Sequence, residues 1–418
     1  MSDASFPGAA DGPVGPSVVT DAPLAPFTTL RVGGPADRLV TATTEQELLD
    51  VARETWDDGD DWFVLGGGSN VVVSDEGFEG TVIRVATRGI APVMSKVGTV
   101  RLRVQAGEPW DAFVLHTVEN GWSGIEALSG IPGSVGAAPI QNIGAYGQEV
   151  AASIVSLDFL DASTGTVRRM PLEELELAYR SSVFKRGLRG VVLSVTFELR
   201  NEVSANGSEP ASVALSRPVQ YAQLASALGI EVGDRLPIEE VRRAVLWLRG
   251  SKGMVLDPAD PDSVSAGSFF TNPIVTETFA RTLPSSAPRW QIEPDEPDLV
   301  IALDESDAGP GGDSGTGVSL DGDRAAVPLP AEYHVKLSAA WLIENAGIRR
   351  GFALPGSTAA ISSKHTLAIV NTAAGAAPDA APGRAADVAE LARYVQGRVL
   401  AEFGVMLHPE PVFLGHEV

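Results

Sequence analysis

Hydrophobic positions fall into an ordered pattern only from about Phe27 onward. Residues 1–26 are rich in Pro, Gly, Ala and Ser and carry three acids and no base, the composition of a flexible leader. Thr44 and Glu47 form a capping-box pair, followed by Leu48, Ala52 and Trp56 at helical spacing. A strand is predicted at Trp62 to Leu65, then the glycine run Gly66 to Ser69 and Asn70, the apolar run Val71 to Val73 and a further strand at Thr81 to Val85. Short β runs continue at Val100 to Val104, Ile154 to Phe159 and Val191 to Phe197. One helical stretch, Trp110 to Glu119, interrupts them.

After a polar spacer (Asn201 to Glu209) the pattern turns helical. Ile238 to Arg249 places Val241, Val245 and Leu248 on one face, and Lys336 to Ala346 is read as a similar helix. A last helix carries Val388, Leu391, Val395 and Val399, with Gly404 as its C-terminal stop. An Ala/Gly/Pro tract spans Thr372 to Gly383. There is no internal repeat. The layout is α+β in three parts: a small αβ start, a β-rich middle and a helix-containing third part.

Charge sharpens this picture. The 418 residues hold 54 acids against 31 bases, a net charge of −23. That disfavours nucleic acid and anionic membrane surfaces, which require clustered positive charge. Ten acids with no Lys or Arg lie between Trp290 and Asp323, and about 304–324 is read as a disordered acidic insertion. Outside that segment and the leader the body carries −10. Cysteine is absent, which excludes disulfides, thiolate catalysis and Cys-based metal sites. The five histidines (116, 334, 365, 408, 416) lack metal-ligand spacing, so no metal is expected. With neither a membrane-length apolar run nor a secretory signal at the N-terminus, a soluble cytoplasmic protein is expected.

Five motifs could carry chemistry. Gly66-Gly67-Gly68-Ser69-Asn70 can bring backbone amides close to phosphate oxygens, or can be a plain hairpin loop. No Lys-Ser/Thr follows it, and the next element is β, so neither a P-loop nor a dinucleotide fingerprint applies. Gly130 to Gly147 holds five glycines and two prolines in eighteen positions with almost no charge. It suits a backbone lining a flat uncharged ring, or a buried crossover loop. Arg180, in Tyr179-Arg180-Ser181-Ser182, could clamp a carboxylate or be a surface arginine. Ser265 to Pro273 presents Ser268 in a tight loop without a Gly-x-Ser-x-Gly elbow, which disfavours an acyl nucleophile and leaves a proton donor or a plain bulge serine. Pro409 and Pro411 fix the backbone around Glu410, which is either a positioned carboxyl or a solvated glutamate. Lys252 is a candidate phosphate contact.

The order and wording of these motifs resemble the bacterial UDP-N-acetylenolpyruvoylglucosamine reductases, flavin enzymes that complete UDP-N-acetylmuramate for peptidoglycan. The resemblance runs from Thr28-Thr29-Leu30-Arg31-Val32-Gly33-Gly34-Pro35-Ala36 to Phe413. It rests on Gly66–Asn70, Ile131–Gly147, Tyr179–Lys185, Gly267–Pro273, Lys336–Glu344 and Pro409–Glu410. It implies a two-part FAD-binding domain of the vanillyl-alcohol-oxidase (PCMH) type and a C-terminal α/β substrate-binding domain. The implied division is 27–88 and 89–210 for the two FAD subdomains, with 405–418 near the first, and 211–404 for the substrate domain. Gly66, Gly67, Gly68, Ser69 and Asn70 would then meet non-covalent FAD. So would Ile131, Pro132, Gly133, Ser134, Gly136, Ala137, Asn142, Gly144, Ala145 and Tyr146. Arg180, Ser268 and Glu410 would be catalytic, with Ser268 the proton donor. Tyr179, Tyr221, Lys252 and Asn272 would hold the UDP-sugar. The region around Tyr221 matches the longer form of the family. NADPH as co-substrate also follows from the resemblance, and a monomer is expected.

Two other readings compete. An oxidase of the same fold would return electrons to O₂. Many such oxidases tether the flavin through His or Cys, and neither glycine-rich segment holds one. A non-enzymatic nucleotide-sugar binder would not need Arg180, Ser268 and Glu410 together.

Overall fold

A computed structural model describes residues 15–201, 213–292, 334–375 and 382–415. The expected acidic insertion at about 304–324 lies outside the described residues, as does most of the polar spacer. The expected leader is corrected for its described part. Ser17–Pro23 is a strand, β1, paired antiparallel with β2 (Pro35–Ala42) in a register that sets Ser17 against Thr41 and Pro23 against Pro35. Ala22 and Leu24 bury their side chains in the first core, which outweighs the weak local signal of the Pro/Ala sequence.

Helix α1 (Glu45–Asp58) starts where the capping box places it, with Thr44 and Glu47 each closing onto the other's backbone. Gly59 ends it in the left-handed conformation at φ 76°. Strands β3 (Trp62–Leu65), β4 (Val71–Val73) and β5 (Phe78–Val85) follow. The first sheet runs β1-β2-β5-β3, with β5 parallel to both β2 and β3. The turn carrying Gly66 to Asn70 therefore hangs at the end of β3.

The middle part comprises β6 (Ile90–Val93), β7 (Thr99–Gln105), α2 (Trp110–Glu119), the short strands β8 (Trp122–Ser123), β9 (Gly144–Ala145) and β10 (Gln148–Glu149), then β11 (Ile154–Asp161), β12 (Val167–Pro171) and β13 (Gly190–Asn201). They build an antiparallel sheet of order β12-β11-β13-β7-β6. Trp110 and Phe113 of α2 pack on Phe197 of β13 with ring centroids 6.0 and 4.9 Å apart. All three rings are fully buried, each stabilising by about 1.5–3 kcal/mol or more. This core also backs the glycine-rich segment through Val135, Ala138 and Ile143.

Helices α3 (Ala222–Leu228) and α4 (Ile238–Gly250) pack through Leu224, Val241, Val245 and Leu248 against Ala127 and Tyr146 of the middle part. The remainder forms a separate core: β14 (Ile274–Thr276), α5 (Glu277–Ala280), β15 (Arg289–Ile292), β16 (His334–Leu337), α6 (Ala339–Asn345), β17 (Ala359–Ile361), β18 (Ile369–Asn371) and α7 (Ala385–Phe403). That core includes Leu30, Val32 and Val72 from the first part. The helix expected over Lys336 to Ala346 is shorter. Lys336 and Leu337 pair with β14 and β15, and the Ser338 hydroxyl caps the amide of Trp341 to begin α6. The last strand, β19 (Val412–Leu414), returns to lie parallel to β4, with Val412 beside Val71. Among the described residues no helix is long and apolar enough to cross a membrane.

Candidate active site

The two glycine-rich segments meet. A Cβ at Gly67 would lie 2.6 Å from the Gly133 Cα, and one at Gly68, where φ is +62°, would collide with the Phe27 carbonyl. Only glycines allow these loops to touch and still expose backbone to a ligand. Replacing Gly67 by alanine forces them apart. The expected outcome is at least tenfold weaker flavin binding in a fluorescence titration, and stability lower by about 1–3 kcal/mol in thermal unfolding.

The meeting point forms one wall of a cavity of about 340 Å³. Phe63, Leu65, Trp110, Phe159, Phe184 and Leu188 contribute apolar lining. Gly66 to Asn70 line it, together with Ile131, Pro132, Gly133, Ser134, Gly136, Ala137 and Gly144. Arg180, Ser268 and Glu410 line it as well, although each comes from a different stretch of chain. Asn142, Ala145 and Tyr146, expected beside the cofactor, are not among the lining residues. The Asn142 side chain turns away, donating to Glu149 at 2.9 Å and to the Ala178 carbonyl at 3.2 Å.

Arg180 sits at the tip of a tight turn. Ala178 and Ser181 exchange amide-to-carbonyl bonds of 3.1 Å, and Arg180 takes φ +52°. A non-glycine residue there costs about 1–3 kcal/mol and is held by its surroundings. Its Nη1 donates to the Asn142 carbonyl and its Nη2 to the Gly144 carbonyl, both at 3.2 Å, and its Nε lies 3.1 Å from Glu410 Oε1. The guanidinium is thereby fixed to the ring-lining segment with one edge toward the carboxyl.

Glu410 is 8% exposed. Burial raises its pKa above the ordinary carboxyl value, against the opposing charges of Arg180 and Lys185. Its amide donates to the Phe269 carbonyl at 2.9 Å, and its carbonyl accepts from Asn70 Nδ2 at 3.2 Å. The same Asn70 amide donates to Gln141 Oε1 at 2.7 Å. One asparagine thus ties the glycine turn, the ring-lining segment and the Pro409–Glu410 turn together. Phe269 and Phe270 are buried with ring centroids 5.4 Å apart, anchoring the loop that presents Ser268. The Ser268 hydroxyl has no side-chain hydrogen-bond partner among the described residues, so it is free to face a ligand.

The residues expected to hold the sugar nucleotide fall into two groups. Burial raises the Tyr179 pKa against the lowering pull of Arg180 and Asn272, and the Lys336 ammonium lies 4.9 Å from the Tyr179 ring. Tyr221 packs edge-on against Tyr146 at 5.7 Å, and the Lys252 ammonium stands 5.8 Å from that ring. Lys252 also donates to Gln223 at 3.0 Å. Burial, then the charge of Arg249, lowers its pKa. Half-buried His365 is pushed down to about 4, first by burial and then by Lys252, so it is neutral at pH 7. Reading the sequence missed Gln141 and Arg249, both of which line the cavity. Gln141 lay in plain view inside the ring-lining run, and Arg249 lay three residues before Lys252.

Residues 36–171 match the family described as FAD binding domain, and residues 258–414 match that described as UDP-N-acetylenolpyruvoylglucosamine reductase, C-terminal domain. A UDP-N-acetylenolpyruvoylglucosamine reductase of Leifsonia xyli is 58% identical over 399 residues, spanning 95% of this chain and 99% of that protein. The chain belongs to the UDP-N-acetylenolpyruvoylglucosamine reductase family. A Salinispora arenicola relative with the same name is 46% identical, spanning 94% of each chain. The crystal structure of the reductase from Thermus caldophilus superimposes with a TM-score of 0.55 at 26% identity, covering 96% of this chain and 98% of that one.

A member of this family is an FAD-dependent oxidoreductase, and FAD is its cofactor. The expected fold, an FAD-binding domain followed by a C-terminal domain, is the one found. The residues present fit FAD. The turn at Gly67 and Gly68 packs on Gly133 and Phe27 too closely for a Cβ, and it lines the cavity with bare backbone that can meet a diphosphate. The apolar cavity beyond it suits a flat ring.

Proposed function

We propose that this chain reduces the enolpyruvyl group of UDP-N-acetyl-3-O-(1-carboxyvinyl)-glucosamine to the lactyl ether of UDP-N-acetylmuramate, with NADPH as electron donor. The observation that carries this reading is the convergence of Arg180, Glu410 and Ser268 on a cavity walled by the two glycine-rich segments. Residues 27–88 and 89–210 act as the two halves of the flavin-binding unit, and 211–404 as the sugar-nucleotide domain. The enzyme works as a cytoplasmic monomer.

When bound, FAD supplies the hydride carrier between NADPH and the substrate double bond. The protein supplies the rest. That double bond is conjugated to a carboxylate, so hydride addition at its terminal carbon drives negative charge onto the carboxylate oxygens. Arg180 binds those oxygens, its orientation set in advance by the Asn142 and Gly144 carbonyls. Glu410, protonated in the working state, donates a hydrogen bond where an anion would repel the growing charge. Ser268 then gives its proton to the carbon between. Tyr179, Tyr221, Lys252 and Asn272 hold the sugar nucleotide. Lys252 supplies positive charge for its diphosphate.

The sign of the pH dependence follows from Glu410. Its raised pKa keeps the carboxyl protonated at lower pH, and ionisation removes the donor as pH climbs through that value. The kcat/KM profile for the sugar therefore has an alkaline limb that Glu410→Gln abolishes. A limb of unchanged position in that variant assigns it to another group.

The reading as a whole is tested with purified protein. It should carry a flavin spectrum, and its NADPH oxidation should accelerate on addition of the enolpyruvyl UDP-sugar. A colourless protein, or NADPH oxidation driven by O₂ and indifferent to the sugar, contradicts it.

A further inference from the structure

Asn142 is buried and takes the left-handed conformation at φ +46°, which asparagine adopts more readily than most side chains. Both ends of its side chain are in use. Oδ1 accepts from the Ala151 amide at 3.2 Å, while Nδ2 donates to Glu149 Oε2 at 2.9 Å and to the Ala178 carbonyl at 3.2 Å. An aspartate in the same place would offer no donor, and an alanine nothing. Asn142 is not among the residues that line the cavity, so contact with a bound ring does not account for this arrangement.

What the side chain grips is the turn that carries Arg180. The Ala178 carbonyl also accepts the Ser181 amide that closes this turn, at 3.1 Å. The Asn142 amide therefore holds the base of the turn, while the Asn142 carbonyl takes Arg180 Nη1 at its tip. Arg180 stands at φ +52°, so two strained residues face each other across this contact. Glu149 fixes the clamp from the other side. It is paired with Gly144 across the β9–β10 hairpin, and the Gly144 carbonyl takes Arg180 Nη2. Both carbonyls that aim the guanidinium thus belong to the segment that Asn142 ties to the turn. A second tie, from the Ser182 hydroxyl to the Ile140 carbonyl, anchors the chain just beyond the turn. The turn therefore stays in place without the Asn142 amide, and what is lost is the aim of Arg180.

We propose that the Asn142 side chain is a positioning group that aims Arg180 at the substrate carboxylate. The proposal rests on the reading of Arg180 as the residue that meets that carboxylate. Asn142→Gly keeps the left-handed backbone and its carbonyl but removes the amide. Asn142→Asp keeps the shape but turns an oxygen toward Glu149 and the Ala178 carbonyl. Both are compared with wild type, Arg180→Met and the double variant Asn142→Gly with Arg180→Met. Each protein is loaded with FAD, reduced by NADPH and mixed anaerobically with the enolpyruvyl UDP-sugar. Both Asn142 variants should lower the limiting rate of flavin reoxidation about tenfold or more, the scale of a misaimed preorganised donor. The half-saturating sugar concentration, the rate of flavin reduction by NADPH and the affinity for FAD should each stay within about threefold. In the Arg180→Met background, Asn142→Gly should cost less than about twofold, because its effect passes through Arg180. Equal losses in both backgrounds overturn the proposal, since the amide then only supports the fold. Reoxidation at the wild-type rate in Asn142→Gly overturns it too. Weakened FAD binding with unchanged reoxidation also overturns it and returns Asn142 to the cofactor. If Asn142→Gly fails to fold, Asn142→Asp takes its place in both backgrounds. An Arg180→Met protein that reoxidises at the wild-type rate overturns the reading of Arg180 itself, and this proposal with it.

Discussion

Replacing Ser268 by alanine leaves NADPH-driven bleaching of the flavin at its normal rate and slows the sugar-dependent return of colour by about 10²–10⁴, the usual worth of a general acid. The two half-reactions separate because Ser268 is placed to act on the substrate. It stands on a loop clamped by buried Phe269 and Phe270, and the Phe269 amide donates to the Leu367 carbonyl at 2.7 Å. The hydroxyl has no competing side-chain partner among the described residues, and the Cβ of alanine occupies the same place. The loop geometry should therefore survive, and with it sugar binding. Anaerobic stopped-flow absorbance reads both steps. Equal retention of both rates removes Ser268 from the role of proton donor.

The second large effect is expected at Arg180. Arg180→Met removes the charge that meets the developing carboxylate, and sugar reduction should fall by about 10²–10³, the range for loss of one preorganised donor. It also leaves the Asn142 and Gly144 carbonyls without their donors and removes the opposing charge from buried Glu410, whose pKa should rise further. Arg180→Lys is not a conservative change, because one ammonium cannot reach Asn142, Gly144 and Glu410 in three directions at once. It should recover little of the lost rate. Single-turnover rates with varied sugar concentration separate a loss of binding from a loss of chemistry. A Lys variant at wild-type rate shows that charge alone suffices and that the fork is immaterial.

The parts of the fold that were legible in the sequence are those decided locally. The Thr44–Glu47 box starts α1, the pattern from Trp110 to Glu119 predicts the bounds that α2 has, and Gly404 ends α7 at φ 67°. The parts that were hidden depend on distant partners. Ser17–Pro23 reads as a polar, proline-bearing leader because its register comes from β2, and Lys336 reads as helix because β14 and β15 are not its neighbours in sequence.

The site divides in the same way. The residue types at Gly66–Asn70, Arg180, Ser268 and Glu410 were visible as motifs, and their order carried the resemblance. Their assembly was not visible, since it runs through Asn70 bonding to Gln141 and to the Glu410 carbonyl across 71 and 340 positions of chain. Arg249 was overlooked because an arginine at the end of a helix ordinarily reaches solvent. Here the Gly130 turn and the Met254 carbonyl hold it inside.

The account stands on Arg180, Glu410 and Ser268 acting on an enolpyruvyl sugar nucleotide in the flavin cavity. The most direct measurement is to reduce the FAD-loaded protein anaerobically with one equivalent of NADPH and mix it with the enolpyruvyl UDP-sugar. The account predicts full recovery of the oxidised flavin spectrum and one UDP-N-acetylmuramate formed per flavin. A reduced protein that stays bleached with the sugar and recovers its colour only when O₂ is admitted would contradict it.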